Sequence, residues 1–575
     1  MTTTNVRAAA EAWLAEDQDP VTAKELRDLL ARCDAGDPAA IADLAERFTG
    51  QLEFGTAGLR GVLGAGPQRM NRVLVRKCSA GLAAYLKANV PDYATRGVVI
   101  GHDARHNSRE FSEDTARVLA GLGIKAMLAH RPWPTPTTAW AVHHLNAAAG
   151  VMVTASHNPP EYNGYKVYWG NAAQIVPPHD TGIAAEIANI GRSDQLAMPS
   201  LADARASKLV VDLDEKLHDT YVTAVLALRA QPQLDLGSLV VAYTPMHGVG
   251  WPSVEPTFRR AGFTKVHVEP SQRDGHPDFP TVKFPNPEEK GAMDRVLALA
   301  TSVKADVVLA NDPDADRLCC AVPGDGPSGY RVLSGDQVGA LLADYLLEVG
   351  ATDKRMVATS IVSSQLLGYL AKQTGADYRE TLTGFKWIGN AALDYERDHH
   401  GRFVMGYEEA LGYSVGPLVR DKDGVSAALI FSELVAWNRA KGRTVLAHLD
   451  DIYRRVGLFV TEQVSLTKPG SEGMAQIKAA MARFRSAPPT AIAGIAIDKV
   501  EDLARSVGGL PPADVLVFRL AGGRRVIMRP SGTEPKLKSY YEVRVEVGAG
   551  EAMDAARARG QQELAQLRDA HQKLI

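Results

Sequence analysis

Cysteine is nearly missing from this chain. Only Cys33, Cys78, Cys319 and Cys320 occur in 575 residues, with no C-x-x-C spacing. So sparse a set does not frame a disulfide scaffold, and the four are expected to fill cores in a reducing compartment. A surplus of one charge is missing too: 64 Lys and Arg against 67 Asp and Glu leave a formal net charge of −3. No global positive field recruits nucleic acid or an acidic membrane, so an anionic ligand must meet basic groups gathered locally. No apolar run approaches the ~18–20 residues of a membrane helix. The stretch from Met1 to Asp19 is polar and acidic, unlike a signal or transit peptide. These absences predict a cytoplasmic protein with neither nucleic-acid nor membrane partners.

Length sets the next bound. A single core stops growing near ~250–300 residues, so the chain is expected to hold about three to five domains. Residues 1–50 read as helices, with Asp19-Pro20 as cap and first turn and Leu26, Leu29 and Leu30 at helical spacing. From residue 98 the rhythm alternates. A strand at 98–100 ends in Gly101-His102-Asp103; a helix across 110–122, a strand at 124–129, a helix near 136–145 and a strand at 150–154 follow. This βαβαβ order argues for a mostly parallel sheet with helices on both faces. It restarts with strands at 239–243, 265–268 and 306–310, and again after 335 with strands near 356–360, 378–382 and 402–406 and helices at 339–347 and 425–441. The C-terminal stretch differs. A hairpin turning at Gly522-Gly523, an alternating strand at 541–547 and a final helix rich in Ala, Arg and Gln predict a smaller α+β domain.

In open α/β sheets, ligands sit beyond the carboxyl ends of strands. The chemically loaded segments fall there, after residues 101, 154, 310, 382 and 406. After 310 comes Asn311-Asp312-Pro313-Asp314-Ala315-Asp316-Arg317, whose three carboxylates at i, i+2 and i+4 can point at one hard cation such as Mg²⁺. An EF-hand loop would need Gly where Arg317 stands and Glu where Pro323 stands. A phosphatase of the haloacid-dehalogenase type would need Thr at 316. A solvated acidic turn is the plain alternative, although three packed anions without a cation repel strongly.

Thr154-Ala155-Ser156-His157-Asn158-Pro159 is an ordinary turn by composition. Asn163-Gly164-Tyr165-Lys166 brings a cation back to it, and a serine that accepts phosphate needs a metal and cations nearby. Arg529-Pro530-Ser531-Gly532-Thr533-Glu534-Pro535-Lys536 has the donors of a phosphate cradle; a basic turn facing water is its alternative. Phe54 to Gly61 is a Gly-rich loop carrying Arg60. Gly412-Tyr413-Ser414-Val415-Gly416 matches a hydrolase elbow but is followed by Pro417 and a charged run rather than a helix. Gly324 to Gly329 matches a dinucleotide turn, yet Pro327 and strand-like flanks make it a hairpin loop. His143-His144 and His399-His400 read as exposed pairs.

From about residue 50 to 545, these segments stand in the order of the α-D-phosphohexomutase superfamily, which the chain resembles: phosphoglucomutases, phosphomannomutases and relatives. The resemblance implies an α/β fold of four domains around a central cleft, three related α/β units with mixed, mostly parallel sheets plus a smaller C-terminal α+β domain. The expected divisions are 1–50 as a helical segment joined to domain 1, then 51–212, 213–328, 329–455 and 456–575. Ser156 matches the phosphorylated serine, with His157 beside it in proton handling. Lys166 and Arg60 match the catalytic cations of the first domain. Asp312, Asp314 and Asp316 match the metal loop, with a phosphoserine oxygen as further ligand and Arg317 alongside. Thr383, Gly384 and Lys386 look like the sugar-specificity loop, Glu408 the glutamate that grips sugar hydroxyls, and Lys422 the lysine of the following Lys-Asp-Gly. Arg529, Ser531, Gly532 and Thr533 match the fourth-domain phosphate loop.

The resemblance also implies one Mg²⁺ per subunit, a sugar bisphosphate as primer and intermediate, sugar phosphates as partners, and a monomer or homodimer. Many glucose- and mannose-specific members carry Gly-Glu-x-Ser at the sugar loop. Here Tyr407-Glu408-Glu409-Ala410 lacks that serine, which is similar to the branch of phosphopentomutases and broad-specificity phosphoglucomutases. The expected activity is interconversion of hexose 1- and 6-phosphates, glucose ahead of mannose, with a pentose 1-/5-phosphate mutase as alternative. A catalytically silent sugar-phosphate binder and a phosphatase are the readings from other classes.

Overall fold

In the computed structural model, which describes residues 3–468, 470–506, 509–531 and 536–575, two N-terminal helices open with an aspartate cap followed by proline. Asp19 accepts from the Val21 amide at the start of Pro20–Asp34, and Asp37 accepts from the Ala39 and Ala40 amides at the start of Pro38–Phe48. Proline costs nothing there because its missing N–H would have no partner inside the helix. With Thr3–Glu16 these helices enclose a small core of their own, built from Val6, Leu26, Leu29, Leu30, Leu44 and Phe48.

The chain divides into two compact units, Met1–Leu333 with Ala410–Ala436, and Ser334–Glu409 with Trp437–Ile575. The first holds two sheets. One contains β1 (Leu59–Val62), β2 (Val98–His102), β3 (Ala126–Ala129), β4 (Ala149–Val153), β5 (Tyr162–Trp169) and β6 (Val210–Leu213), in the order β1-β5-β4-β2-β3-β6. β2, β3, β4 and β6 run parallel, whereas β5 is antiparallel to β4 and β1 antiparallel to β5. β2, β3 and β4 are buried along their whole length, as strands covered on both faces require. The other sheet holds β7 (Val240–Thr244), β8 (Lys265–Val268), β9 (Val307–Ala310), β10 (Cys319–Pro323) and β11 (Tyr330–Val332), in the order β11-β10-β9-β7-β8. β10 and β11 form a hairpin, so Gly324 to Gly329 is a hairpin loop as expected.

In the second unit, β12 (Arg355–Ser360) lies parallel to both β13 (Asp377–Thr381) and β14 (Arg402–Glu408). The helix Gly335–Val349 starts at a capping box in which Ser334 and Gln337 satisfy each other's backbone amides. The C-terminal strands Leu458–Thr467, Lys536–Val545, Arg524–Pro530, Leu516–Leu520, Ile495–Asp502 and Ala491–Ile492 follow one another across an antiparallel sheet. The turn at Gly522-Gly523 is present, with both glycines at positive φ. The strand expected at 541–547 instead spans Lys536–Val545. Its run from Ser539 to Val543 is buried at every position, so burial on both faces erases the alternation that marks a half-exposed strand.

Cys78, Cys319 and Cys320 are buried, Cys33 half-buried, and all four thiols are free. Among the described residues no helix is long and apolar enough to cross a membrane.

Candidate active site

Two strand ends of the first unit meet at the serine and the aspartates. β4 runs out at Val153, and the chain turns through Thr154 and Ala155 to Ser156, which sits at φ 54°. A serine in the left-handed region is uncommon and must be held there by its surroundings. Part of the hold is local: the Ser156 amide donates to Thr154 Oγ1 at 2.8 Å. The Ser156 hydroxyl donates to Asp312 Oδ2 at 3.0 Å and lies 3.2 Å from His157 Nδ1.

Asp312, Asp314 and Asp316 follow β9 on a turn in which Ala315 also takes a left-handed φ of 55°. The turn is braced from inside: Asn311 accepts from Tyr243 Oη at 2.8 Å and donates to the Arg317 carbonyl at 2.6 Å. Gly424 is required beside it, since a Cβ there would lie 2.4 Å from the Arg317 carbonyl oxygen and 2.4 Å from Asn311 Nδ2. One oxygen from each aspartate lies within 4.8 Å of the others. All three side chains are fully buried, and among the described residues Oδ1 of Asp314 and Oδ1 of Asp316 have no hydrogen-bond donor. Buried, unpaired hard oxygen donors are what a divalent cation coordinates, so the residues fit a metal.

Cations surround this cluster. Lys166 Nζ donates to Asp314 Oδ2 at 2.9 Å and to Asp316 Oδ2 at 3.1 Å. Lys422 Nζ reaches Asp316 Oδ2 at 3.1 Å and Asp421 Oδ1 at 3.1 Å. Arg317 Nε lies 4.0 Å from Asp312 Oδ2. Titration follows from this arrangement. Burial and the charges of Asp314 and Asp316 push the Asp312 carboxyl well above its ordinary range. Burial acts on Asp314 in the same sense, but Lys166 and Thr135 outweigh it and hold that carboxyl low. Burial tends to lower Lys166, yet the two aspartates keep it raised and charged. His157 is pushed well below its ordinary value by burial and by Arg317 and Arg60, which leaves a neutral ring beside the Ser156 hydroxyl.

Two sequence assignments change setting. Arg60 belongs to strand β1 rather than to a loop, and its Nη1 donates to Asn158 Oδ1 at 3.2 Å. Lys166 lies within strand β5, opposite Met152 of β4. An antiparallel return of the chain, not a loop, carries the cation back. Lys422, matched by resemblance to the lysine of a Lys-Asp-Gly run at the substrate site, has its ammonium on Asp316 of the aspartate cluster.

The structure brings further groups to the site. Thr135 Oγ1 donates to Asp314 Oδ2 at 2.6 Å. Asp421 accepts from Tyr168 Oη at 2.7 Å and Gln174 Nε2 at 2.8 Å while pairing with Lys422. Arg105 grips the Ser156 loop. The signal for Arg105 was available, since it follows the strand end at Gly101-His102-Asp103. Thr135 and Asp421 carry no local mark.

The second unit holds the remaining assignments. Gly384 takes φ 116°, a value that favours glycine, and its amide donates to Glu408 Oε1 at 2.6 Å. Glu408 is the last residue of β14 and Lys386 lies in the first turn of the helix Phe385–His399, so Gly384, Lys386 and Glu408 come together and Thr383 directly precedes them. Arg529 lies on the strand Arg524–Pro530, opposite Lys538, and the Ser531 amide donates to the Lys536 carbonyl at 2.8 Å. Tyr540 joins the two regions: burial pushes its phenol up to about 12, with Glu409, Arg529 and Glu408 all close enough to act on it. Gly532 and Thr533 lie outside the described residues.

Four family models match in series: phosphoglucomutase/phosphomannomutase alpha/beta/alpha domain I over residues 51–194, domain II over 219–326, domain III over 334–456, and the C-terminal domain over 473–559. A Haemophilus influenzae protein named "Probable phosphomannomutase" is 42% identical over 83% of this chain and 93% of its own length. The phosphopentomutase of Mus musculus is 36% identical over 92% of this chain and 89% of its own. The phosphoglucomutase of Staphylococcus haemolyticus is 36% identical over 87% and 91%. Among solved structures, Paramecium parafusin, a phosphoglucomutase, shares the fold with a TM-score of 0.69 at 18% identity, covering 91% of this chain and 96% of that one. A phosphoglucomutase/phosphomannomutase family protein of Burkholderia thailandensis shares it with a TM-score of 0.66 at 18% identity over the same shares. Fold and matches together define a phosphosugar mutase, an intramolecular phosphotransferase. More narrowly, the chain belongs to the phosphoglucomutase/phosphomannomutase family of the α-D-phosphohexomutase superfamily.

Proposed function

We propose that this enzyme interconverts hexose 1-phosphate and hexose 6-phosphate, glucose ahead of mannose, with phosphorylated Ser156 as the covalent relay. The observation that carries this reading is the Ser156 hydroxyl set 3.0 Å from Asp312 at the edge of the buried aspartate cluster. In the first transfer the free hydroxyl of a bound sugar monophosphate loses its proton and attacks phosphorus. The P–Oγ bond breaks and Ser156 leaves with the electron pair, giving a sugar bisphosphate. The bisphosphate turns over, its other phosphoryl returns to Ser156, and the isomeric monophosphate departs. His157, 3.2 Å from Oγ, would pass a proton to Ser156 as it leaves and regain one from the attacking hydroxyl, so that each transfer ends with the proton it began with.

Asp312, Asp314 and Asp316, with a phosphoserine oxygen, would hold one Mg²⁺, which supplies charge neutralisation at the transferring phosphoryl group. Lys166 and Arg60 would balance the same charge from the protein side. Arg317 and Lys422 hold the aspartates in register and extend the positive rim toward substrate. Thr383, Gly384, Lys386 and Glu408 would read the sugar, with Glu408 fixed through the Gly384 amide. Arg529 and Ser531, and by resemblance Gly532 and Thr533, would hold the phosphate that is not reacting.

Ala410 and the phosphopentomutases among the relatives favour a second reading, interconversion of pentose 1- and 5-phosphates. The deciding experiment compares kcat/KM on glucose 1-phosphate and ribose 1-phosphate while scoring free phosphate. A preference for ribose beyond ~100-fold replaces the first reading with the second. Dominant phosphate release makes the protein a phosphatase, and binding without turnover makes it a silent binder.

A further inference from the structure

The backbone carbonyls of the Ser156 loop converge on one guanidinium. Arg105 Nη2 donates to the carbonyl of Ser156 at 2.6 Å and to that of Asn158, and Nη1 donates to the carbonyls of Pro159 at 2.8 Å and Tyr162 at 3.3 Å. Four carbonyls spread over seven residues thus converge on a single side chain that is completely buried. Among the described residues its one ion-pair carboxylate is Asp103, whose Oδ2 lies 3.3 Å from Nε. Asp103 is itself fixed, since its Oδ1 accepts from the Arg105 amide at 3.0 Å and from Ser108 Oγ at 2.6 Å. Burying a guanidinium is costly, and here Nη1 and Nη2 are satisfied by carbonyls while Nε faces Asp103 as a charge partner without a hydrogen bond. What the arrangement returns is shape, because a planar fork fixes the mutual positions of the carbonyls it bridges.

A second segment fixes the fork. Residues 269–293 carry neither helix nor strand, and they lie against the loop at 103–107. Phe279, itself at a left-handed φ of 46° and almost fully buried, places its ring centroid 4.8 Å from the Arg105 guanidinium carbon. Asp278 Oδ1 lies 2.6 Å from His106 Nε2, and Gly275 approaches so closely that a Cβ there would fall 2.8 Å from Ala104 Cβ.

We propose that Arg105 is a positioning residue for phosphoryl transfer, holding Ser156 in its left-handed conformation with Oγ aimed at the aspartate cluster, and that Phe279 keeps the guanidinium in plane. The inference rests on Ser156 being the relay. Lysine keeps the charge of Arg105 but is a point donor on a flexible stem and cannot bridge four carbonyls. A displacement of about 1 Å at a reacting atom costs roughly 10²-fold in rate.

The experiment follows phosphate on Ser156 by intact mass in wild type, Arg105→Lys and Phe279→Leu, with kcat, KM and the rate of inorganic phosphate release from the phosphoenzyme. Arg105→Lys is expected to lower kcat by about 10²-fold per phosphorylatable enzyme, with KM within about threefold and a larger share of phosphoryl lost to water. Phe279→Leu keeps the fork and removes the ring, so kcat should fall between about twofold and about thirtyfold. It also serves as the test if Arg105→Lys does not fold. The inference is overturned if the folded variants turn over within twofold of wild type. It is equally overturned if their loss is accounted for by a smaller folded fraction with unchanged turnover per phosphorylated site. Wild type that takes up no phosphate on Ser156 overturns the relay instead, and that outcome is distinct.

Discussion

Thr135 and Asp314 are joined twice: the Thr135 hydroxyl donates to Asp314 Oδ2 at 2.6 Å, and the Thr135 amide donates to the Asp314 carbonyl at 2.9 Å. The first turn of the helix Thr135–His144 thereby aligns the middle aspartate of the cluster, leaving Oδ1 unbonded. Partners that orient a metal ligand matter nearly as much as the ligand. Thr135→Val, which keeps the shape and removes the hydroxyl, should weaken Mg²⁺ activation or activity by about 10–100-fold. A Mg²⁺ titration of activity checks it, and an unchanged half-saturation point with unchanged kcat contradicts it.

The aspartate cluster itself gives a direct test. EDTA should silence the enzyme and Mg²⁺ restore it. Asp314→Asn should lower both metal affinity and turnover, because it removes a charge from the coordinating set while Lys166 retains Asp316. Activity that ignores chelation would refute the metal.

Ser156→Ala should reduce mutase activity by at least ~10³-fold, since covalent relay then has no nucleophile. Intact mass should show one phosphate on the wild type and none on the variant. Near-normal turnover by the alanine protein would remove Ser156 from the mechanism.

Ala410→Ser should tilt preference toward glucose 1-phosphate over ribose 1-phosphate. One neutral hydrogen bond is worth about 0.5–1.5 kcal/mol, so the ratio of kcat/KM should move by a factor of about 2–13. A shift in the opposite direction would separate sugar choice from this position.

Asp336 predicts a pH dependence of stability. Burial, reinforced by Glu409 and Glu542, raises its carboxyl from 3.8 to about 7. The folded form therefore keeps a proton that the unfolded chain releases, so this contribution is complete below pH 3.8 and is lost as pH rises through about 7. Asn resembles the protonated side chain and can still accept from the Ser364 amide, which lies 2.7 Å from Asp336 Oδ1. Asp336→Asn should gain stability relative to wild type between pH 4 and pH 7, by up to about 1.4 kcal/mol per pH unit. Urea unfolding at several pH values measures this, and parallel curves would show that the carboxyl titrates normally.

Much of the site could be read without coordinates because its chemistry is local. Ser156 and the three aspartates each follow an apolar strand within a few residues, so strand periodicity and the rule that ligands gather at carboxyl strand ends suffice to place them. Asp19-Pro20 and Gly522-Gly523 were legible for the same reason, since cap and turn chemistry acts over two or three residues. Arg60 was harder. Its strand has only four residues and follows glycines, so nothing in the local pattern separates it from a loop.

Chain order and residue type thus determined the α/β fold class and the acidic cluster, and marked the strand end that carries Ser156, because each depends on neighbours in sequence. Tertiary structure decided what those groups touch. Thr135 on Asp314, Lys422 on Asp316 and Arg105 on the Ser156 loop join positions 179, 106 and 51 residues apart. The physical reason is that electrostatic partnership and hydrogen bonding act through a few ångströms of space. Only the packing of two sheets brings β4, β5 and β9 to one place where those few ångströms are realised.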